Sequence, residues 1–400
     1  MASALERLKV VDLSSHLSGP YCAMLLADHG ADVIKVERPG SGDDARRMPP
    51  FMGGESTPFM IWNRNKRSVV LDLKEAGDKA QLLALIDAAD VVIENFRPGT
   101  LDRLGLGWST LSRRNPRLIY AAISGFGQTG PYRERGGFDL VTQGMSGLMS
   151  LCGPSDGPPH RLPIAISDVA AGMHLAFGIL CALEARHHTG RGQLVETSLL
   201  ESALSFGVYE AAHVAATGAT PPRLGQAHRG SSPYQVFETA DGWITLGAAQ
   251  DNFWRRLCDL LGQPELTEDK RFASNGDRVR NNAALVALLE QHFRQKSSQH
   301  WLAALEAAGI PSGPVLSFDQ AMADPHVVAR GMVVETPHPA AGSLKTLGIP
   351  VKLSATPGAL ARPAPRLGEH TAEVLESAPP CKSATGGAGA KLMARVRGAG

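Results

Sequence analysis

Residues 9–37 read KVVDLSSHLSGPYCAMLLADHGADVIKVE, and this stretch decides the fold. A short β-branched run (9–13) leads into a loop (14–20), a helical stretch (21–29) and a second apolar strand (32–37). Parallel strands need a long crossover connection, so two strands joined through a helix suggest a parallel pair. The same alternation continues downstream. Residues 68–73 are strand-like, 79–88 helical, and 90–94 and 118–123 strand-like. A small-residue helix runs from Val169 to about His188, followed by a strand over 193–197 and a helix over 199–216. The pattern predicts an α/β fold of Rossmann-like, doubly wound parallel type for residues 1–216.

Residues 217–232 are rich in Gly, Pro, Ser and Thr and predict a linker. Beyond it, strands at 234–238 and 243–247 bracket the turn Thr239-Ala240-Asp241-Gly242, a hairpin signal. Amphipathic patterns follow near 252–261, 281–295 and 298–308, so 233–325 reads as a smaller α+β domain. A return segment (326–376) is strand-rich to about Ser354 and ends in a short helix, and a frayed tail is expected over 377–400.

Four hundred residues with 43% hydrophobic content suffice for a large core. Forty Lys and Arg oppose 39 Asp and Glu, so there is no broad basic field to hold nucleic acid or an anionic membrane. Anionic ligands must be caught by local clusters. The five cysteines, Cys22, Cys152, Cys181, Cys258 and Cys381, include no CxxC pair and read as buried reduced thiols. No basic stretch with an apolar core opens the chain, and no apolar run reads as long enough to span a bilayer, so the expected location is cytoplasmic.

The first strand-to-helix loop, Ser14 to Pro20, holds Gly19 as its single glycine, so the GxGxxG signature of nicotinamide binding is missing. The run SGFGQTGP (124–131) does not match the GxSxG nucleophile elbow. No HExxH, Walker loop or metal-ligand spacing occurs, so no metal is expected. Arg38, Lys74 and Arg97 each follow a strand. In a doubly wound sheet that placement lets them converge on one phosphate-bearing molecule, although each also reads as a solvated charge. Asp168 stands where an apolar run (162–166) gives way to a helix starting at Val169. It reads as an N-cap whose ionised form the helix dipole favours.

Six segments, taken in order, resemble family III CoA-transferases, the group of formyl-CoA transferase and carnitine CoA-transferase. They are LSGPYCAMLLADHGADVIKVERPGSGDDAR (17–46), NRNKRSVVLDLK (63–74), VVIENFRPGTLDRLGLGW (91–108), SGFGQTGPY (124–132), ISDVAAGMHLAFGILCALEARHHTGRGQ (166–193) and LGEHT (367–371). The resemblance covers about residues 7 to 375. GSGDDAR, GFGQTGPY and AHRGSSPYQVF (227–237) are most similar to succinyl-CoA-dependent dicarboxylate transferases of the succinate-hydroxymethylglutarate type. It implies Asp168 as the nucleophile. It implies coenzyme A contacts at Leu17, Ser18, Arg38, Leu71, Asp72, Leu73, Lys74, Asn95, Phe96, Arg97, Arg103, Phe138 and Asp139. It also implies that the C-terminal return completes the large domain and that two ring-like chains interlink as a homodimer.

Two positions depart from the family pattern. The loop that covers the aspartate in several members is glycine-rich, whereas the comparable Gly247-Ala248-Ala249-Gln250 has one glycine. Racemases of the family carry a histidine at the position of Phe138, and without it a two-base proton exchange lacks its partner. The expected reaction therefore moves CoA from an acyl-CoA, with succinyl-CoA the expected donor, to a free dicarboxylate through aspartyl anhydride and aspartyl-CoA thioester intermediates. Arg46, Arg47 and Arg229 are candidate cations for the distal carboxylate. A racemase or isomerase, and a CoA-binding protein without transfer activity, remain as alternatives.

Overall fold

The computed structural model describes residues 2–378. Most of the expected frayed tail, and Cys381, lie outside the described residues. β1 (Lys9–Asp12), β2 (Asp32–Glu37), β3 (Lys66–Val70), β4 (Val91–Glu94), β5 (Ile119–Ser124) and β6 (Leu194–Ser198) form one sheet in the order β3-β2-β1-β4-β5-β6. Every pair in it is parallel. Winding reverses between β1 and β4, where the loops after these strands separate and leave a crevice. Both faces are covered: Val10, Val33 and Ile93 pack with Leu26, Leu175 and Ile179, while Val11, Val36 and Val92 pack with Leu82, Leu85 and Ile86. Consecutive residues such as Val10 and Val11 point to opposite faces, so a doubly covered strand reads as a continuous apolar run.

Several boundaries move from the sequence expectation. The helix Ser18–Asp28 takes Gly19 and Pro20 into its first turn, where a missing N–H costs nothing. The expected helix over 199–216 breaks into Leu199–Leu204 and Val208–Thr217. Residues 162–165 form no strand, since Pro163 cannot donate to a ladder, and the helix runs Ile166–Thr189. By length and composition this 24-residue helix is apolar enough to cross a membrane, which corrects the expectation that no such run exists. Its Ala171, Leu175, Ile179 and Ala182 are buried against the sheet, as in the core helix of a globular unit. Of the four described cysteines, Cys22 and Cys258 are buried, Cys152 is half-buried and Cys181 is exposed, and all are free.

The chain divides into two compact units. The first comprises the described residues up to Ser146, Pro163–Gly207 and the described residues from Arg330 onward. The described residues of its C-terminal part add no strand to the large sheet but tie to the outer strand β3. His370 N–H donates to Ser68 O at 3.0 Å, Val70 N–H donates to Thr371 Oγ1 at 3.1 Å, and Arg67 pairs with Glu373 at 2.9 Å.

The second unit comprises Gly147–Leu162 and Val208–Ala329. The segment 147–162 lies here, whereas the sequence reading kept it within the first 216 residues; Arg223 holds it through the Ser150 and Pro154 carbonyls at 3.3 Å each. β7 (Tyr234–Glu238), β8 (Trp243–Gly247) and β9 (Ser312–Pro314) make an antiparallel sheet in the order β9-β8-β7. Phe237, Trp254, Phe293 and Trp301 fill its core.

Candidate active site

The crevice between β1 and β4 is closed at its base by Asn95. Its side chain accepts from Ser15 N–H at 2.9 Å and donates to Ser15 O at 2.7 Å, with Ser18 Oγ at 3.4 Å. One amide thus clips the loop after β1 to the loop after β4 and brings Leu17, Ser18 and Asn95 together. A second clip comes from Asp43, which sequence reasoning passed over. Its Oδ1 accepts from Ser15 Oγ at 2.8 Å and from His16 N–H at 3.0 Å, and its Oδ2 meets Lys35 Nζ at 2.7 Å. Burial pushes this carboxyl up, but Lys35 and the backbone N–H groups of Ala45 and His16 together hold it well below the usual carboxylate range. A lysine in the middle of the apolar strand VIKVE was the available signal.

Asp168 is the third residue of the helix Ile166–Thr189, not its cap. The N-cap position is Ala165, which has no side chain to accept a hydrogen bond. Asp139 supplies that function from the helix Asp139–Met145. Its Oδ1 accepts the Ser167 N–H at 2.9 Å, and its Oδ2 accepts from Gln143 Nε2 at 2.8 Å. The placement of Asp139 depends on two glycines in backbone contact, because a Cβ on Gly137 would lie 2.4 Å from Gly125 Cα.

The carboxylate of Asp168 is brought to the crevice by Gly172, one turn further along the same face. A Cβ at Gly172 would lie 2.7 Å from Ser18 O and 2.9 Å from Tyr21 Cδ1. Only the bare glycine lets the helix settle on the start of Ser18–Asp28. Burial raises the Asp168 pKa, the nearby Asp139 charge raises it further and a hydrogen bond with Ser18 pulls it back, leaving it at about 6. The expectation that the helix end favours the ionised form is thus corrected: desolvation and a like charge prevail. At pH 7 such a group is still about nine-tenths ionised, and it is more basic than an ordinary aspartate.

Beyond the ends of β1, β2 and β3 lies a pocket whose lining includes Arg38, Leu71, Asp72, Leu73, Lys74 and Phe96. Arg38 is held there by Ser41 Oγ, 2.6 Å from its Nε, and by Asp44. Arg97 lines a different pocket with Glu94, Asp102, Trp108, Tyr120 and Gln128, so the three expected cations do not share one lining. In that pocket burial raises Glu94 to about 8. Arg103 is exposed and bonds Thr100 Oγ1 at 3.2 Å. Phe138 is 72% exposed at the N-cap of the Asp139 helix. In the second unit Gly247 ends β8, and Ala248, Ala249 and Gln250 link it to the helix Asp251–Leu260, with Ala248 buried.

Among the candidate cations for a distal carboxylate, Arg46 is already committed. It bonds Glu37 through Nε at 2.7 Å and a terminal nitrogen at 2.7 Å, and it stacks 3.7 Å from the Phe59 centroid. The second acceptor face of Glu37 is taken by Ser68 Oγ at 2.6 Å. Arg47 is exposed and pairs with Asp44. Arg229 lies in the second unit.

The sequence model of CoA-transferase family III matches residues 5–371. The acetyl-CoA:oxalate CoA-transferase of Acetobacter aceti is 41% identical over 369 residues, covering 92% of this chain and 94% of that protein. The succinyl-CoA:glutarate CoA-transferase of Homo sapiens is 38% identical over 373 residues, covering 93% and 85%. A CAIB/BAIF family protein from Brucella suis is similar in structure, with a TM-score of 0.86 at 38% identity over 95% of this chain and 100% of that one.

Proposed function

The chain belongs to CoA-transferase family III, and from that premise we propose that it moves CoA from succinyl-CoA to a free dicarboxylate through a covalent intermediate on Asp168. The observation that carries this reading is the Asp168 carboxylate itself, half-buried beside Ser18 and Asp139 and raised to about 6. It is charged at neutral pH, yet its basicity makes it a stronger nucleophile than a solvated aspartate. Acetyl-CoA:oxalate and succinyl-CoA:glutarate transferases among the relatives support a dicarboxylate as the acceptor.

The steps balance without water, ATP or redox change. An Asp168 oxygen attacks the donor thioester carbonyl, the C–S bond breaks and CoA leaves as thiolate, giving a mixed anhydride. The thiolate attacks the aspartyl carbonyl and expels the donor acid, leaving an aspartyl-CoA thioester. The acceptor carboxylate attacks that thioester and releases thiolate, which then attacks the acceptor carbonyl of the second anhydride. Asp168 departs as free carboxylate. Each anhydride hydrolyses if water arrives first, so holding the thiolate close contributes more than strong acids or bases. The Ser18 hydroxyl is placed to donate to whichever aspartyl oxygen carries charge.

The pocket with Arg38, Lys74 and the Leu71 to Leu73 backbone fits the nucleotide end of CoA, where phosphates meet cations and the base meets apolar walls. Asn95 and the Ser15 to Ser18 loop then lie between that pocket and Asp168. Phe138 favours transfer over racemisation, since it cannot exchange a proton. The homodimer is part of the same proposal. Met173, Phe177 and Leu180 form one exposed apolar stripe on the helix that carries Asp168, a face suited to a second copy.

The test is incubation with succinyl-CoA and a panel of acids, following new CoA esters by mass spectrometry. Hydroxylamine should trap a modified Asp168 during turnover. An active enzyme that yields no adduct overturns the covalent mechanism, and α-proton exchange with no acyl transfer favours a racemase.

A further inference from the structure

In the second unit, Tyr209 and Glu210 open the helix Val208–Thr217 and face the strand-entry loop that carries His228 and Arg229. Together with Leu224 these residues line one pocket. Arg229 is half-buried, and its Nε is buried without a hydrogen-bond partner. Its only ion-pair partner among the described residues is Glu210, at a long 3.4 Å through a terminal nitrogen. The Nε–H is closed off from the pocket, so a ligand there would meet the terminal nitrogens, which hold Glu210 only loosely. The imidazole of His228 stands edge-on between Tyr209 and Tyr234, with ring centroids 6.1 and 5.2 Å away. Its Nδ1 accepts the Gly230 N–H at 3.1 Å, which assigns the proton to Nε2 in the neutral ring and leaves that N–H as a second donor.

We propose that this pocket binds a small free carboxylate, with the Arg229 guanidinium taking the two oxygens and the His228 Nε2–H and Tyr209 hydroxyl completing the shell. The planar fork of arginine matches a carboxylate in geometry as well as charge. Glu210 is the acceptor that such a ligand displaces, and its long contact makes that exchange cheap. The inference rests on the transferase reading only in taking free carboxylic acids as the ligand class this chain meets.

The test is calorimetric titration of the full chain, without any acyl-CoA, by glutarate and by inorganic phosphate. R229Q should weaken glutarate binding tenfold or more and R229K should restore part of it. E210Q should tighten it, since the competing acceptor is gone. If the Arg229–Glu210 pair were merely a structural clip, R229Q and E210Q would act in the same direction, and that result overturns the proposal. Phosphate binding as tight as glutarate overturns the carboxylate assignment. E210Q keeps the question decidable if R229Q misfolds. Because no CoA is present, a negative result here leaves the transfer reaction untouched, and loss of CoA exchange leaves this site untouched.

Discussion

Asp139 caps the helix that carries Asp168, accepting the Ser167 N–H at 2.9 Å across a sequence separation of 28 residues. Burial raises the Asp168 pKa most, and the same carboxylate that fixes the helix end raises it further, so one side chain serves both positioning and tuning.

The pH dependence of kcat/KM should therefore show an acid limb inflecting near 6, the value at which Asp168 becomes ionised. D139N retains an oxygen acceptor for Ser167 but removes the like charge, so the limb should move to lower pH. S18A removes the hydrogen bond that lowers the Asp168 pKa, and the limb should move up. A limb that ignores both substitutions would assign the ionisation to another group.

D168N should lower transfer about a thousandfold or more while CoA binding persists. Folding raises this carboxyl from its usual 3.8 to about 6, so the native chain binds the proton more tightly than the unfolded chain. Its contribution is fully favourable below 3.8 and is lost as pH climbs through 6. At neutral pH the ionised group costs about 1–3 kcal/mol. Thermal unfolding should accordingly find D168N more stable than the parent at pH 7.5, with the gap closing below pH 4.

G172V should separate the two helices that meet at Ser18, because its Cβ falls 2.7 Å from a backbone oxygen that cannot rotate away. A loss of about 1–3 kcal/mol in denaturant unfolding is expected. Turnover should fall further than that loss of folded protein explains, as Asp168 leaves its hydrogen bond with Ser18.

K74A should raise KM for acyl-CoA about tenfold with a much smaller change in kcat, since Lys74 lines the pocket remote from the bond-making atoms. High salt should narrow the difference between K74A and the parent.

F177D should weaken self-association in sedimentation velocity, because it places a charge in the exposed stripe of Met173, Phe177 and Leu180. An unchanged sedimentation coefficient at micromolar concentration would remove that face from the proposed dimer.

The parallel sheet was legible because its strands are short β-branched runs between helices; β2 of that sheet, and β7 and β8 of the antiparallel one, lie where the pattern put them. Asp168 was legible as a residue but not in its surroundings. Asp139 and Ser18 meet it only after folding, and no local pattern encodes a cap donated from 28 residues away. The run 162–166 misled because apolar composition outweighed Pro163 in the reading. Arg38, Lys74 and Arg97 occupy comparable strand ends, yet side-chain direction sent Arg97 to a separate lining. Asp43 was hidden for the opposite reason: an acidic residue in a Gly and Asp loop looks solvated until Lys35 is found beneath it.

The ties between Ser68 and His370, and between Val70 and Thr371, set an order of events during synthesis. The outer edge of the large sheet is made early and its covering segment is made some 300 residues later, about 15–60 s at ordinary translation rates. Through that interval the nascent chain carries β3 as an open edge, so a ribosome that stops anywhere in the second unit releases a sheet primed to pair with a stranger.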